Sequence, residues 1–260
     1  MIPEYYPLLH YKNVITLYKR KDCMMDYKSS IDIFKRYFEQ KFEDTRKAME
    51  KSEHPNHPFI TVSRTTGAGG VNFPEKLVHH LNEQEKEIEN NWITFDKDIL
   101  EFVLEEHNLP KEMKKFMPEK KVSEFQDVIE QLFGLHPNEH KLIKKVSDTI
   151  LHLSHFGNVV FVGRGSNIIT SKCKNGLHLR LIDSLDNRIE HIQNFFKLNR
   201  VEALKLIQTE DKNRENYVKK YFNKDINNPG LYSLVINFEL YKIDDVLDLV
   251  VNEVHKLKKD

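Results

Sequence analysis

Five of the nine glycines of this 260-residue chain fall in two short stretches, Thr65-Thr66-Gly67-Ala68-Gly69-Gly70 and Gly163-Arg164-Gly165, and each follows a β-branched apolar run. Glycine permits left-handed torsions and lets the backbone approach a ligand closely, so a chain this sparing with glycine needs it at those two places. The segment from Ile60 to Phe73 reads as strand, glycine-rich turn and helix start. In that arrangement successive backbone N–H groups converge at a helix N-terminus and make a cradle suited to phosphate. It is not a complete P-loop, because G-x-x-x-x-G-K-[ST] needs a lysine and a hydroxyl. Here Arg64 stands at the first glycine, Gly70 at the lysine, and Asn72 near the hydroxyl. The cradle residues are therefore Arg64, Thr66, Gly67, Ala68, Gly69, Gly70, Val71 and Asn72, though an ordinary strand-to-helix turn has the same composition.

Two further segments carry cations. Arg164 follows Val159-Val160-Phe161-Val162, at the end of a strand where open α/β sheets bind ligands, and its fork can bond two phosphate oxygens or a neighbouring carboxylate. Arg188 follows Arg180-Leu181-Ile182-Asp183-Ser184, and Asp211 and Arg214 lie one helical turn apart in Thr209–Tyr221. A basic helix closing over phosphates has this pattern, and so does a solvated surface helix with i,i+3 and i,i+4 pairs. The 13 histidines include His152 with His155, His79 with His80, and His54 with His57, but no metal-binding spacing, so no metal site is expected from the protein's own side chains. Cys173 between Lys172 and Lys174 reads as a plain thiol.

Short apolar strands alternating with longer helical patterns must position these residues. Strands are expected at Phe59–Ser63, Trp92–Phe95, Asn158–Val162, Leu177–Ile182 and Tyr232–Ile236. Helices are expected at Pro74–Glu89, Lys97–His107, Leu185–Leu198 with Ser184 as N-cap, Val201–Phe222 and Ile243–Leu257. That alternation predicts an α/β fold with a parallel sheet. Residues 110–157 read as a helical insertion of three helices. Residues 1–57 read as an appendage and linker before a domain over 58–260, with Ile31, Phe34, Phe38, Phe42 and Met49 on one face of a helix that could pack on the core or form a homodimer.

Composition sets the outer limits. Lys+Arg and Asp+Glu are both 40, so the formal charge of +0 gives no bulk attraction to nucleic acid or an anionic membrane, and any anion site must be local. No run approaches the roughly 18 apolar residues of a membrane span. Two cysteines and a start without a signal-peptide pattern point to a reducing cytoplasm.

In this order the segments resemble the cytidylate kinase-like branch of the P-loop nucleoside monophosphate kinases. Ile60–Arg64 with Gly67-Ala68-Gly69-Gly70, Phe95-Asp96-Lys97-Asp98-Ile99-Leu100, Val162–Gly165, Asp211-Lys212-Asn213-Arg214 with Tyr217, and Tyr232–Asn237 carry the resemblance over about residues 58–256. It implies a three-layer fold on a five-stranded parallel sheet, with ATP and Mg2+ as donor and a nucleoside monophosphate such as CMP as acceptor. By position it implies that Arg164 holds the acceptor phosphate over Asp96, that Arg188 and Arg214 neutralise the transferring group, and that Asp211 orients the arginine or the acceptor. Such chemistry asks the protein mainly for positioning and positive charge.

The chain departs from the branch at two points. Val71 stands where arginine commonly follows the double glycine, and Val162 where true cytidylate kinases carry an acid. No cation sits in the loop itself, although Arg64 could reach in. Two functions follow, a phosphotransferase and a catalytically inactive nucleotide-binding protein that senses a ligand or binds a partner.

Overall fold

The computed structural model describes residues 57–84, 91–96 and 137–258. The expected N-terminal appendage and its dimer stripe, the helix at Lys97–His107 and the first part of the helical insertion lie outside them. Five strands form one parallel sheet: β1 (Phe59–Arg64), β2 (Ile93–Phe95), β3 (Val159–Val162), β4 (Gly176–Ile182) and β5 (Leu234–Asn237), in the order β2-β3-β1-β4-β5. Parallel pairing places Val62 beside Val162 and Ser63 beside Arg180, so the chain leaves β1, β3 and β4 at one edge of the sheet. The glycine-rich turn, Arg164 and Asp183 all emerge there.

Strand alternation sends side chains to two cores. Phe59, Phe95 and Phe161 face α2 (Pro137–Phe156), the short α3 (Ser166–Ile169) and the far end of α5 (Arg200–Phe222). Ile60, Val62, Val160, Leu179 and Leu181 face α1 (Phe73–Gln84) and α6 (Ile243–Leu257). Burial on both faces explains why the strands read as continuous apolar runs. Asn82 of α1 clamps the entry to β2, accepting from the Trp92 N–H at 2.6 Å and donating to its carbonyl at 3.1 Å.

The connection after β4 is a helical hairpin. Ser184 caps α4 (Leu185–Phe196) by accepting from the Asn187 N–H, as expected from its sequence position. Asn199 and Glu202 form a capping box that starts α5 one residue before the expected Val201. Ile189 and Ile192 of α4 pack on Ala203 and Ile207 of α5 in a third, smaller core. The last strand begins two residues later than expected, because Pro229–Leu231 forms a turn of 3-10 helix first. Among the described residues no helix is long and apolar enough to cross a membrane.

One buried titratable group on β4 makes stability depend on pH. His178 Nδ1 lies 2.9 Å from Thr61 Oγ1, and burial lowers its pKa from 6.5 to about 4. The unfolded chain therefore binds a proton that the folded chain refuses between those values, and stability falls as the pH drops through that window. Denaturant titrations should show on the order of 3 kcal/mol less of this loss in His178→Gln than in the wild type between pH 6.5 and 4. Equal losses would exclude a neutral, buried His178.

Candidate functional site

Helix α5 buries Ala203 and Ile207 near its start and Val218 and Phe222 near its end. At 3.6 residues per turn, Asp211 and Arg214 fall on the same stripe between those pairs. A carboxylate and a guanidinium thus occupy the inward face of an otherwise solvated helix, whose Lys212–Glu215 pair at 3.4 Å stays at the surface.

The Asp211 carboxylate gathers three other segments around it. Its Oδ1 accepts from the backbone N–H of Thr66 and from the Thr66 hydroxyl, both at 2.7 Å. Its Oδ2 accepts from Arg188, and Arg214 lies 3.3 Å from Oδ1 while donating to the Thr66 hydroxyl. Arg188 Nε also donates to the Thr66 carbonyl at 2.8 Å. The side chains of Arg188 and Asp211 are only 11% and 23% exposed, so these charge-assisted bonds work at reduced dielectric. A carboxylate held by two guanidiniums, a backbone N–H and a hydroxyl is solvated by the protein much as a phosphate would be.

The glycine-rich turn is built against this cluster. The N–H groups of Ala68 and Gly70 close short turns onto Thr65 and Gly67, which leaves those of Gly67, Gly69 and Val71 without an acceptor among the described residues. Gly67, at φ 86°, is required by packing, since a Cβ there would stand 2.8 Å from the Arg188 carbonyl oxygen. Gly70 meets nothing closer than Asn72 Oδ1 at 3.8 Å, so the space above it is open. Val71 packs on the small core between α4 and α5, which accounts for an apolar residue where the related pattern has a cation. Arg64 instead lies along the loop, its Nη1 donating to the Val71 carbonyl at 3.2 Å. On the other side His191 Nδ1 donates to the Gly67 carbonyl at 2.9 Å, with the buried Asp183 carboxylate 4.0 Å away.

Thr66, Arg188, Asp211 and Arg214 therefore meet, with Arg64 and Gly67–Asn72 beside them. Arg164, in a left-handed conformation at φ 55°, stands over the ring of Tyr217 at 5.6 Å, one turn along α5 from Arg214. Asp96 follows β2, which is separated from β1 and its loop by β3 in the sheet. Sequence reading did not single out Arg180, which is 5% exposed on β4 and donates to Ser63 Oγ at 2.9 Å and Asn227 Oδ1 at 3.0 Å. Its signal was a cation alternating with His178 inside an otherwise apolar inner strand.

The cytidylate kinase-like family model matches residues 59–240. The chain belongs to the cytidylate kinase-like family. This assigns it a nucleoside monophosphate kinase-like character in general and nucleotides as ligands. No curated protein matches the chain. A crystal structure of an uncharacterized protein from Eubacterium ventriosum matches with a TM-score of 0.56 and 17% identity, over 76% of this chain and 99% of that one. That likeness speaks for the fold alone, a parallel five-stranded sheet between helices.

The donor set of this cytidylate kinase-like chain fits an anionic nucleotide better than a metal ion. Unused loop N–H groups, open space at Gly70 and nearby guanidiniums suit phosphate. Among the described residues no three acidic, histidine or cysteine side chains converge, no hydroxyl follows Gly70, and Asp211 is engaged by arginines. The described residues offer magnesium no protein-only ligand cluster there, so a nucleotide's own phosphates would supply most of its ligands.

Removing the central charge should loosen the site in a measurable way. Asp211→Asn leaves two arginines without their counter-charge and is expected to cost about 1–3 kcal/mol of stability. Amide exchange over Thr66–Gly70 should accelerate with it. Unchanged stability and unchanged exchange would show that the carboxylate does not hold the loop.

Proposed function

We propose that the protein is a phosphotransferase that moves the terminal phosphoryl group of ATP to a nucleoside monophosphate, a pyrimidine such as CMP in the first instance. The observation that carries this reading is the meeting of Arg188 and Arg214, from two helices, at Thr66 of the glycine-rich loop. Phosphoryl transfer needs little covalent help from a protein, but it needs the donor held in line with the acceptor and positive charge where equatorial oxygens gather it.

In this reading the N–H groups of Gly67, Gly69 and Val71 hold the donor phosphates, and Arg64, lying along the loop, supplies the cation that Gly70 and Val71 do not. Arg188 and Arg214 turn from Asp211 to the transferring group, and Asp211 keeps them pre-oriented until then. Arg164 holds the acceptor phosphate and Asp96 lines the acceptor side. The acceptor oxygen attacks the terminal phosphorus, the bond to the bridging oxygen breaks, and the nucleoside diphosphate of donor leaves. The same reading places the protein in the cytoplasm.

One observation favours a second reading. Asp211 already occupies both arginines and the Thr66 N–H, and the loop has no lysine of its own. A protein that binds nucleotide without transferring phosphate, as a sensor or partner-binding protein, is consistent with that closed arrangement.

Incubation with ATP, magnesium and CMP, dCMP, UMP, AMP or GMP, followed by chromatography, separates the two. The phosphotransferase reading predicts a diphosphate product, with kcat/KM reduced about 10³-fold in Arg164→Ala. Absence of product with every acceptor, despite nucleotide binding, would overturn it in favour of the second reading. Arg64→Ala should weaken ATP affinity by roughly tenfold, the loss of one charge-assisted contact. Unchanged affinity would remove Arg64 from the donor site.

A further inference from the structure

Two successive carbonyls of the glycine-rich loop are held by side chains of α4. Arg188 Nε donates to the Thr66 carbonyl at 2.8 Å, and His191 Nδ1 donates to the Gly67 carbonyl at 2.9 Å. The two residues are three apart on the helix and so share a face. In a trans peptide the N–H points opposite to the C=O, so a carbonyl turned onto α4 sends the N–H of the same peptide the other way. Arg188 thereby turns the Gly67 N–H away from α4. His191 fixes the next peptide, whose Ala68 N–H closes the turn onto the Thr65 carbonyl at 3.1 Å. Gly67, at φ 86°, has no side chain to limit rotation of these peptides, which leaves the holding to donors from outside the loop.

The two donors differ in what else engages them. Arg188 is shared with Asp211 and, in the phosphotransferase reading, turns to the transferring group. The His191 side chain is bonded to the Gly67 carbonyl and otherwise faces only the Asp183 carboxylate among the described residues. When Arg188 moves, His191 is the α4 donor that stays on the loop.

Asp183 accounts for the orientation of the ring. Its side chain is 1% exposed, and its Oδ1 accepts from the Ser184 N–H at 2.8 Å and from the Asn187 amide at 2.9 Å. Those two local donors fix the carboxylate in place. Its Oδ2 is buried without a hydrogen-bond partner among the described residues and lies 4.0 Å from His191 Nδ1. A carbonyl only accepts, so Nδ1 carries a hydrogen, and a fixed anion on that side of the ring favours the hydrogen there over Nε2.

We propose that His191, with its tautomer set by Asp183, is a positioning residue that keeps the glycine-rich loop in its phosphate-receiving shape while Arg188 is engaged by substrate. It touches no phosphate itself. The proposal rests on the donor cradle of the phosphotransferase reading, and its test reads binding rather than turnover.

The test is calorimetric titration of the full chain with a non-hydrolysable ATP analogue and magnesium. His191→Leu removes the donor and should weaken affinity about tenfold. His191→Asn, whose amide nitrogen can stand near the place of Nδ1, should recover most of that loss. The ring is 40% exposed, so neither change hollows a core. Nitrogen NMR of the ring should place the hydrogen on Nδ1 in the unaltered chain and shift part of it to Nε2 in Asp183→Asn. A packing role alone gives neither the rescue nor the tautomer shift, and the His191 variants decide the matter if Asp183→Asn does not fold. Unaltered affinity in His191→Leu, equal weakening in the Leu and Asn variants, or a tautomer indifferent to Asp183→Asn overturns the proposal. No analogue binding by the unaltered chain overturns it together with the donor cradle. Analogue binding with the expected His191 effects, but no diphosphate product from any acceptor, supports it and tells against the phosphotransferase reading alone.

Discussion

The Asp211 carboxylate is the point on which the site depends. Among the described residues it is the only acid paired with Arg188 or Arg214, and it also takes the N–H and hydroxyl of Thr66. Two half-buried arginines brought this close would repel each other without an anion between them. The carboxylate thus joins the glycine-rich loop, α4 and α5 into one unit, and any anion that enters must share or replace it.

The sheet supplies the frame for that unit. Parallel pairing aligns the ends of β1, β3 and β4, so the loop, Arg164 and Asp183 emerge side by side. Apolar contacts fix the rest. Ile207 anchors α5 to α4 before the polar pair, and Val218 with Phe222 anchor it to the sheet after them. Val71 joins the loop to the first anchor. Aliphatic packing on either side decides where the charges of the cluster stand.

Much of this frame was legible in the sequence. Apolar runs gave the five strands to within two residues, and Ser184 read correctly as a cap. Asp211 and Arg214 were legible as a pair but not as an inward-facing one, because their stripe becomes visible only with Ala203, Ile207, Val218 and Phe222. Their partner Thr66 lies 145 residues from Asp211, beyond the reach of local pattern. Arg180 escaped notice since its signal, a cation two residues after His178 in an apolar strand, marks a buried side chain only once the strands on either side are known. Gly67, read as leaving room for a ligand, proves to leave room for the Arg188 backbone instead.

The central claim is that a nucleotide's phosphates take over the cations now held by Asp211. A crystal structure of the protein with a non-hydrolysable ATP analogue and CMP tests it most directly. The account predicts the triphosphate on the N–H groups of Gly67, Gly69 and Val71, with Arg188 and Arg214 turned from Asp211 toward the terminal phosphate. A nucleotide bound away from the loop, with both arginines still on Asp211, would contradict it.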